Sequence, residues 1–285
     1  MNGYAFHAPA AKPSRHQVPA ATCNCAALEE LLDYLNSHLP LLGGSQLERY
    51  FSAQAGRLVQ RGNRIEAEVG PFVLRSEHRR IVPVTAPSTT LAWRRVLRAV
   101  TRSGREVSAD ALLRLQPGEA AATAMDRLLR TLHMLNHLAC ATSTQDLWVH
   151  TSLRHVLAVE HGHGEFFEDL LRRCGLGADR IVLMGALLPP ADPDFARLVA
   201  AYAGYVSRGF RIALELPTFP SADALASLSL IDASWLRVSQ QDIEALRARG
   251  VRLPLLIKAP GRPAAGGRLC PHDLLEVADY PVFLP

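Results

Sequence analysis

This sequence of 285 residues lacks several features that identify common protein classes. No run of about 18 apolar residues occurs, so we predict no membrane span. There is no Gly-x-x-x-x-Gly-Lys phosphate loop and no Gly-x-Ser-x-Gly elbow, which removes two frequent kinds of nucleotide-binding and hydrolytic site. None of the five cysteines forms a pair with the usual zinc spacing, so we interpret them as reduced thiols in a cytoplasmic protein.

Lysine is almost absent. Lys12 and Lys258 are the only two, and arginine supplies all the other basic residues except histidine. The formal net charge of +4 is too small to favour nucleic acid as a partner. Arginine does favour planar contacts with phosphate or carboxylate groups. The hydrophobic fraction of 48% and the charged fraction of 20% are ordinary for a globular protein.

The first third of the chain divides into a tail and a small module. Residues 1–22 are rich in alanine and proline, and we predict a disordered tail. Residues 23–90 combine an amphipathic helix pattern over 26–39 with strand-like segments at 64–69 and 72–74. A segment containing Pro83, Pro87 and Ser88 follows and resembles a linker. We therefore predict a separate α+β module over residues 23–90.

Residues 95–285 alternate between strand and helix patterns. Eight strand candidates occur, at Val96–Val100, Val107–Leu115, Leu147–Thr151, Ile181–Leu187, Phe210–Leu216, Trp235–Val238, Leu253–Ile257 and Tyr280–Leu284. Gly209 and Gly250 stand where a helix would end before a strand. The alternation predicts an α/β fold, a TIM-like (β/α)8 barrel with its functional site at the C-terminal strand ends. The first two candidates are joined by the short turn Ser103-Gly104-Arg105, so the first strand must run antiparallel.

Several segments in this part of the chain resemble a known family. Asp110-Ala111-Leu112-Leu113-Arg114 resembles the Glu-Ala-Leu-Leu-Arg motif of EAL domains, and Met125-Asp126-Arg127 resembles the Leu-Asp-Arg that opens their next helix. Val149-His150-Thr151-Ser152 is similar to their Val-Asn-Leu-Ser. EAL domains are TIM-like barrels with an irregular first strand that hydrolyse cyclic di-GMP with two divalent cations. The resemblance implies the same barrel here over residues 95–285.

The same comparison shows where this chain departs from the family. His150 stands in place of a metal-binding asparagine, and Met184 and Leu187 stand where the family has two glutamates. Glu215 and Leu216 replace a pair of aspartates, and Arg237 replaces a lysine. Lys258 reverses the charge expected on the seventh strand. The resemblance therefore implies a degenerate EAL domain that is not an enzyme and needs no Mg²⁺.

Five residues remain as candidates for nucleotide contact. Arg114, Arg237 and Lys258 would present cations to phosphate, with Asp110 and Glu215 as the surviving carboxylates. We interpret the chain as an inactive bacterial regulatory protein that acts through contacts with another regulatory protein. Metal-independent binding of cyclic di-GMP is the alternative, and residual phosphodiesterase activity is the second alternative. EAL domains commonly pair, so a homodimer is a further expectation.

Histidines supply no separate metal motif. His161-Gly162-His163-Gly164 carries two glycines, which predict an exposed loop. His133 and His137 are four apart, but no glutamate follows His133 as a His-Glu-x-x-His zinc motif requires. We predict that they belong to a helix face.

Overall fold

The computed structural model describes residues 25–38, 56–114, 118–140, 145–216, 220–259 and 269–277. The predicted tail at 1–22 and the strand candidate Tyr280–Leu284 lie outside these residues. The strands are β1 (Arg57–Arg61), β2 (Arg64–Val69), β3 (Phe72–Pro83), β4 (Ala92–Thr101), β5 (Glu106–Val107), β6 (Asp146–His150), β7 (Ile181–Ala186), β8 (Arg211–Glu215), β9 (Ala233–Ser239), β10 (Leu255–Ala259) and β11 (Leu274–Val277).

Helices connect most of these strands. They are α1 (Cys25–His38), α2 (Ala109–Arg114), α3 (Glu119–Ala139), α4 (Leu153–Ala158), α5 (Glu165–Arg173), α6 (Phe195–Ser207), α7 (Ala222–Ala226) and α8 (Ile243–Ala248). Within the described ranges, no helix is both long and apolar enough to cross a membrane. Gly209 and Gly250 have positive φ angles after α6 and α8, which confirms their predicted role at helix ends.

Eight of the strands close into a barrel. Their order is β3-β11-β10-β9-β8-β7-β6-β4, and β4 pairs again with β3. β3 runs antiparallel to both of its barrel neighbours. Each of the other neighbouring pairs in the barrel is parallel. The predicted α/β barrel with one antiparallel strand is therefore confirmed.

The identity of the first two barrel strands was predicted wrongly. The antiparallel strand is β3, and Val96–Val100 lies within β4, the second strand. Val107–Leu115 is not a strand, because it contains the end of β5 and then helix α2. The Ser108 hydroxyl accepts the backbone N–H of Ala111, and Asp110 lies in the first turn of α2. Both are helix-start signals, and they outweigh the apolar run at Leu112 and Leu113.

The predicted module at 23–90 contributes directly to the barrel. Its segment 72–74 begins the long strand β3, which pairs with β4 along ten positions, from Phe72 with Thr101 to Ile81 with Ala92. The expected boundary near residue 90 thus falls between two paired strands. The proline-containing segment after Pro83 is a connection between those strands. The eighth strand is β11, which lies before the candidate at Tyr280–Leu284.

Strands β1 and β2 extend the barrel sheet beyond its rim. They form a hairpin that pairs with the first part of β3, and β5 extends β4 on the other side. One face of this extension packs against α1 and α3 through Leu58, Ile65, Ala67 and Leu74. The opposite face continues the inner wall of the barrel, because Arg75, Arg79 and Ile81 alternate along β3 on the same side.

Two asparagines bind backbone groups of strand residues that pair with a neighbouring strand on one side only. The Asn136 side chain in α3 accepts the Ile65 N–H at 3.1 Å and donates to the Ile65 carbonyl at 2.8 Å. Asn36 in α1 makes the same two bonds with Leu58, at 2.8 and 2.9 Å. These bonds satisfy β-strand groups that would otherwise be unpaired.

Replacing Asn136 by alanine is expected to lower the free energy of unfolding by about 3 kcal/mol, because two buried backbone groups of Ile65 lose their partner. Asn36→Ala is the matched comparison. Asn36 is only half-buried, so water can partly replace its two hydrogen bonds to Leu58. We therefore expect the free energy of unfolding to fall by about 1 kcal/mol. Urea unfolding followed by circular dichroism measures both. Equal losses in the two variants would contradict this account of Asn136.

Candidate functional site

The inside of the barrel changes from apolar to charged towards the C-terminal strand ends. Its apolar layer contains Ile81, Ala92, Trp148, Val182, Met184, Ala213, Leu256 and Leu274, with Trp235 packed against them. Side chains two positions further along a strand point to the same face. At that next level lie Arg79, Arg94, His150, Glu215, Arg237, Lys258 and Glu276. We call these seven residues the mouth cluster.

Glu276 is the most deeply buried carboxylate of the mouth cluster, with 2% of its side chain exposed. Its Oε1 accepts from the Nη1 atoms of Arg79 at 3.0 Å and Arg94 at 2.7 Å. Its Oε2 accepts from Nε of Arg237 at 2.9 Å. The three arginines come from β3, β4 and β9, so this one side chain connects three strands.

Glu215 is the second carboxylate of the mouth cluster. It accepts a hydrogen bond from Nη1 of Arg237, and the ammonium group of Lys258 lies 3.0 Å from Oε1. Arg237 therefore bridges Glu215 and Glu276, with only 5% of its side chain exposed. Four cationic side chains surround two carboxylates, which leaves the cluster with excess positive charge.

Both carboxylates stay ionised in this setting. Burial by itself raises the pKa of Glu276, but the charges of Arg94 and Arg237 outweigh it and hold that pKa below the ordinary value. Burial acts the same way on Glu215, where Arg237 and Lys258 together lower the pKa. The carboxylates are thus engaged as anions by fixed cations and are poor proton donors near neutral pH.

His150 completes the mouth cluster on the side of β6. Its side chain is open to the mouth, although the surrounding walls restrict its hydration. That restricted hydration lowers the pKa of His150, with Asp126 and Glu215 opposing and Arg94 and Arg237 reinforcing the shift. A neutral imidazole can accept or donate a hydrogen bond, so His150 is a polar contact point in the mouth.

The predicted site residues divide between two places. Glu215, Arg237 and Lys258 come together at the mouth, as the sequence indicated. Asp110 and Arg114 do not join them, because they belong to α2. They line a separate cleft of about 300 Å³ with Leu113, Ala122, Asp126, Ser152 and Arg154.

Asp126 forms one wall of this cleft and holds the chain after β6. Its Oδ1 accepts the Ser152 N–H at 2.8 Å, and its Oδ2 is 2.9 Å from Nε of Arg130. Ser152 in turn caps α4 by accepting the N–H of His155. Asp126 is therefore a positioning residue for the segment that follows His150.

Three members of the mouth cluster were missed from the sequence: Arg79, Arg94 and Glu276. A signal was present, because Arg94 and Glu276 each follow a buried apolar residue by two positions, at Ala92 and Leu274. The sequence patterns did not mark β3 and β11 as barrel strands, and the strand candidate at Val96–Val100 begins after Arg94. Met184 lies in the apolar layer below the cluster, whereas Leu187 packs in the outer core.

The side chains at the mouth of the barrel determine whether it can bind metal ions. Across the described ranges, no group of three or more His, Cys, Asp or Glu side chains is placed to hold a metal ion. The two mouth carboxylates are already coordinated by guanidinium and ammonium groups. Within the part of the chain that the structure describes, the residues therefore do not fit a site for two divalent cations, which needs several carboxylate oxygens free to converge on the metal.

Comparison with known proteins finds solved structures with a similar fold. No family model matches this sequence, and no curated protein matches it. The FimX EAL domain is 13% identical, with a TM-score of 0.57 over 82% of this chain and 92% of that one. The same domain from Pseudomonas aeruginosa, solved with bound cyclic di-GMP, is 14% identical, with a TM-score of 0.56 over 72% and 88%. YkuI from Bacillus subtilis, solved with cyclic di-GMP and calcium, is 18% identical, with a TM-score of 0.51 over 65% and 49%.

The barrel belongs to the class of α/β barrels that have one reversed strand and a polar mouth at the C-terminal strand ends. More specifically, the chain has the fold of an EAL domain, as the resemblance in its sequence predicted. It spans about half the length of some longer EAL-containing structures that it matches, with 49% of YkuI and 55% of Bd1971 covered.

Changing Glu276 to glutamine is expected to lower the free energy of unfolding by about 3 kcal/mol, because three arginines lose their shared buried anion. Since the folded pKa of Glu276 is lowered, its stabilisation is complete above the unfolded pKa of about 4.3 and is lost as the pH falls through the folded pKa. The variant should therefore lose less stability than the original protein as the pH falls below about 4. Chemical unfolding across this range measures it.

Glu77→Gln is the control for this experiment, because Glu77 is 49% exposed and pairs only at the surface. We expect less than about 1 kcal/mol there. A loss of that small size at Glu276 would show that the mouth cluster does not depend on its carboxylate.

Proposed function

We propose that this protein is a catalytically inactive regulatory protein with an EAL fold, which signals through contacts with another protein. The observation that carries the proposal is the pairing of both mouth carboxylates with fixed cations. Glu276 has three arginine partners, and Glu215 has Arg237 and Lys258. The mouth of the barrel is thus occupied by its own ion pairs.

Two-metal hydrolysis needs carboxylates that converge on the cations and activate a water molecule. In the mouth cluster, a divalent cation approaching Glu276 would meet Arg79, Arg94 and Arg237 at contact distance. Like charges at that distance repel strongly in a partly buried site. The positions of these arginines therefore support the absence of hydrolysis.

The second barrel strand supports the same conclusion. The resemblance places the Glu-Ala-Leu-Leu-Arg motif on that strand, and the strand here is β4. On β4 the side chain that reaches the mouth is Arg94, a cation, where the family's second strand presents a glutamate. Arg237 likewise takes the place of a lysine, and a guanidinium does not release its proton at neutral pH.

An inactive barrel still offers a rigid surface, and functional sites are grafted on such folds independently of their ancestral chemistry. The EAL-domain structures that this chain resembles include proteins solved with cyclic di-GMP. This likeness supports a place in cyclic di-GMP signalling, and the closed ion-pair network at the mouth supports action through protein contacts.

Metal-independent binding of cyclic di-GMP is the second candidate function, and one observation favours it. The mouth cluster has excess positive charge, and its outer cations Arg79 and Lys258 are 44% and 47% exposed. Exposed arginine and lysine side chains can turn towards a phosphate, which binds guanidinium through two parallel hydrogen bonds.

The purified protein is expected to produce no linear dinucleotide from cyclic di-GMP in the presence of Mg²⁺ or Mn²⁺, because the carboxylates needed for two metals are paired with arginine. Liquid chromatography of the products measures it, with an active EAL phosphodiesterase as the positive control. Turnover that disappears in Glu215→Gln would overturn the proposal. Turnover that persists in that variant points to a contaminating enzyme, which a repeat preparation removes.

Titration calorimetry separates the two modes of action. The protein-contact proposal predicts no heat of binding with cyclic di-GMP, with or without Mg²⁺. Binding that is independent of Mg²⁺ and about tenfold weaker in Lys258→Gln would instead assign the receptor function, because one charge-assisted phosphate contact is lost. Lys12→Gln is the matched control, since it changes the chain's other lysine, which belongs to the N-terminal segment.

A further inference from the structure

The sheet extension above the barrel mouth carries three pairs of arginines that face each other across neighbouring strands. Arg61 is opposite Arg64 on β1 and β2. Arg75 is opposite Arg98 and Arg79 is opposite Arg94, both on β3 and β4. All six side chains alternate onto the sheet face that continues the inner barrel wall. We call this surface the arginine face.

Like charges directly opposite each other destabilise an antiparallel sheet. Three such pairs on one face are a local conflict that folding alone does not require, since the helix side of β1, β2 and the start of β3 packs through apolar residues such as Ile65 and Leu74. Conflicts of this kind between local preference and fold are expected at functional surfaces. The arginine face is therefore a candidate interaction surface.

Glutamates of the same chain currently neutralise part of this surface. Glu66 is 2.7 Å from Arg75, Glu68 is 3.2 Å from Arg61, Glu77 is 3.0 Å from Arg98, and Glu106 also pairs with Arg98. Arg75 and Arg98 are nevertheless both 44% exposed. Exposed ion pairs contribute only about 0–1 kcal/mol each, so an external carboxylate can replace an internal one at little cost.

The spacing of the arginine pairs fits an extended chain. Arg75 and Arg79 are four residues apart on β3, which corresponds to about 13 Å along a strand. Acidic side chains four residues apart in an extended peptide have the same separation. The pair at Arg79 and Arg94 also reaches the mouth cluster through Glu276, so a peptide on this face would end at the barrel mouth.

We propose that the arginine face binds an acidic segment of the partner protein. The inference rests on the proposed action through protein contacts and names the chemistry of the partner. Arginine binds carboxylates through two parallel hydrogen bonds, and the valines at Val73 and Val96 offer small apolar contacts between the charges. Among the described strands β1–β5, no aromatic side chain lies on this face, so unpaired nucleic acid bases would have no stacking partner.

The direct test uses fluorescein-labelled dodecaglutamate and fluorescence anisotropy with the full chain. The original protein should bind it, and the affinity should fall as salt is raised. The double variant Arg75→Gln, Arg98→Gln should bind about tenfold or more weakly, because two charge-assisted contacts are lost. Arg172→Gln is the matched control, since Arg172 is 67% exposed on α5 and pairs there with Asp169, and its affinity should not change.

A second variant distinguishes docking from a loss of folding. Glu77→Gln removes one of the two internal competitors for Arg98, Glu106 being the other, and should raise the affinity for dodecaglutamate about twofold or more. A destabilised protein would show the opposite change. Three results would overturn the proposal. The first is that the original protein does not bind dodecaglutamate at all, and the second is that the double variant binds it equally well. The third such result is that a labelled thymidine dodecamer binds more tightly than dodecaglutamate.

The proposed function and the proposed acidic partner can be disproved independently. Absence of dodecaglutamate binding leaves the phosphodiesterase result unchanged and removes only the acidic partner. Hydrolysis of cyclic di-GMP by the protein would disprove the proposal that it is catalytically inactive, whether or not dodecaglutamate binds.

Discussion

The architecture depends on the double pairing of strand β3. Its first residues pair with the hairpin strand β2, its last residues pair with β11, and β4 accompanies it along nearly its whole length. The same strand therefore closes the barrel and extends it beyond the rim. Its side chains serve three environments: Leu74 packs under the helices, Ile81 fills the barrel, and Arg79 reaches the mouth. A change in the position of β3 would alter all three.

The mouth shows how a barrel can keep charged side chains in its interior. A charged side chain removed from water is tolerated when it is paired and hydrogen-bonded. Here Glu276 receives three guanidinium donors from three strands, and Arg237 carries the network on to Glu215. The charges thus connect strands that lie far apart in the sequence, and they stand directly on the apolar layer around Trp148 and Leu256.

The sequence allowed the barrel, the presence of one reversed strand and half of the candidate site to be predicted. Parallel strands buried on both sides gave clear apolar runs, as at Ile181–Ala186, and Glu215, Arg237 and Lys258 follow such runs directly. The first two strands were harder, because β3 and β4 carry many arginines on one face and do not appear apolar. Asp110 and Arg114 were misplaced for a related reason. A short helix with leucines inside it has the same local composition as the end of a buried strand, and only the helix-start residues Ser108 and Asp110 distinguish them.

The three arginines around Glu276 also restrict how this protein can change over generations. Any single substitution that adds a carboxylate next to Glu276 leaves at least two guanidinium groups beside it, and any single loss of an arginine leaves a buried charge less well compensated. Breaking such a buried network costs about 3–5 kcal/mol, against a total stability of about 5–15 kcal/mol for a typical domain. Single substitutions towards a metal-binding mouth would therefore fold poorly. A change of chemistry at this end of the barrel thus requires several substitutions together.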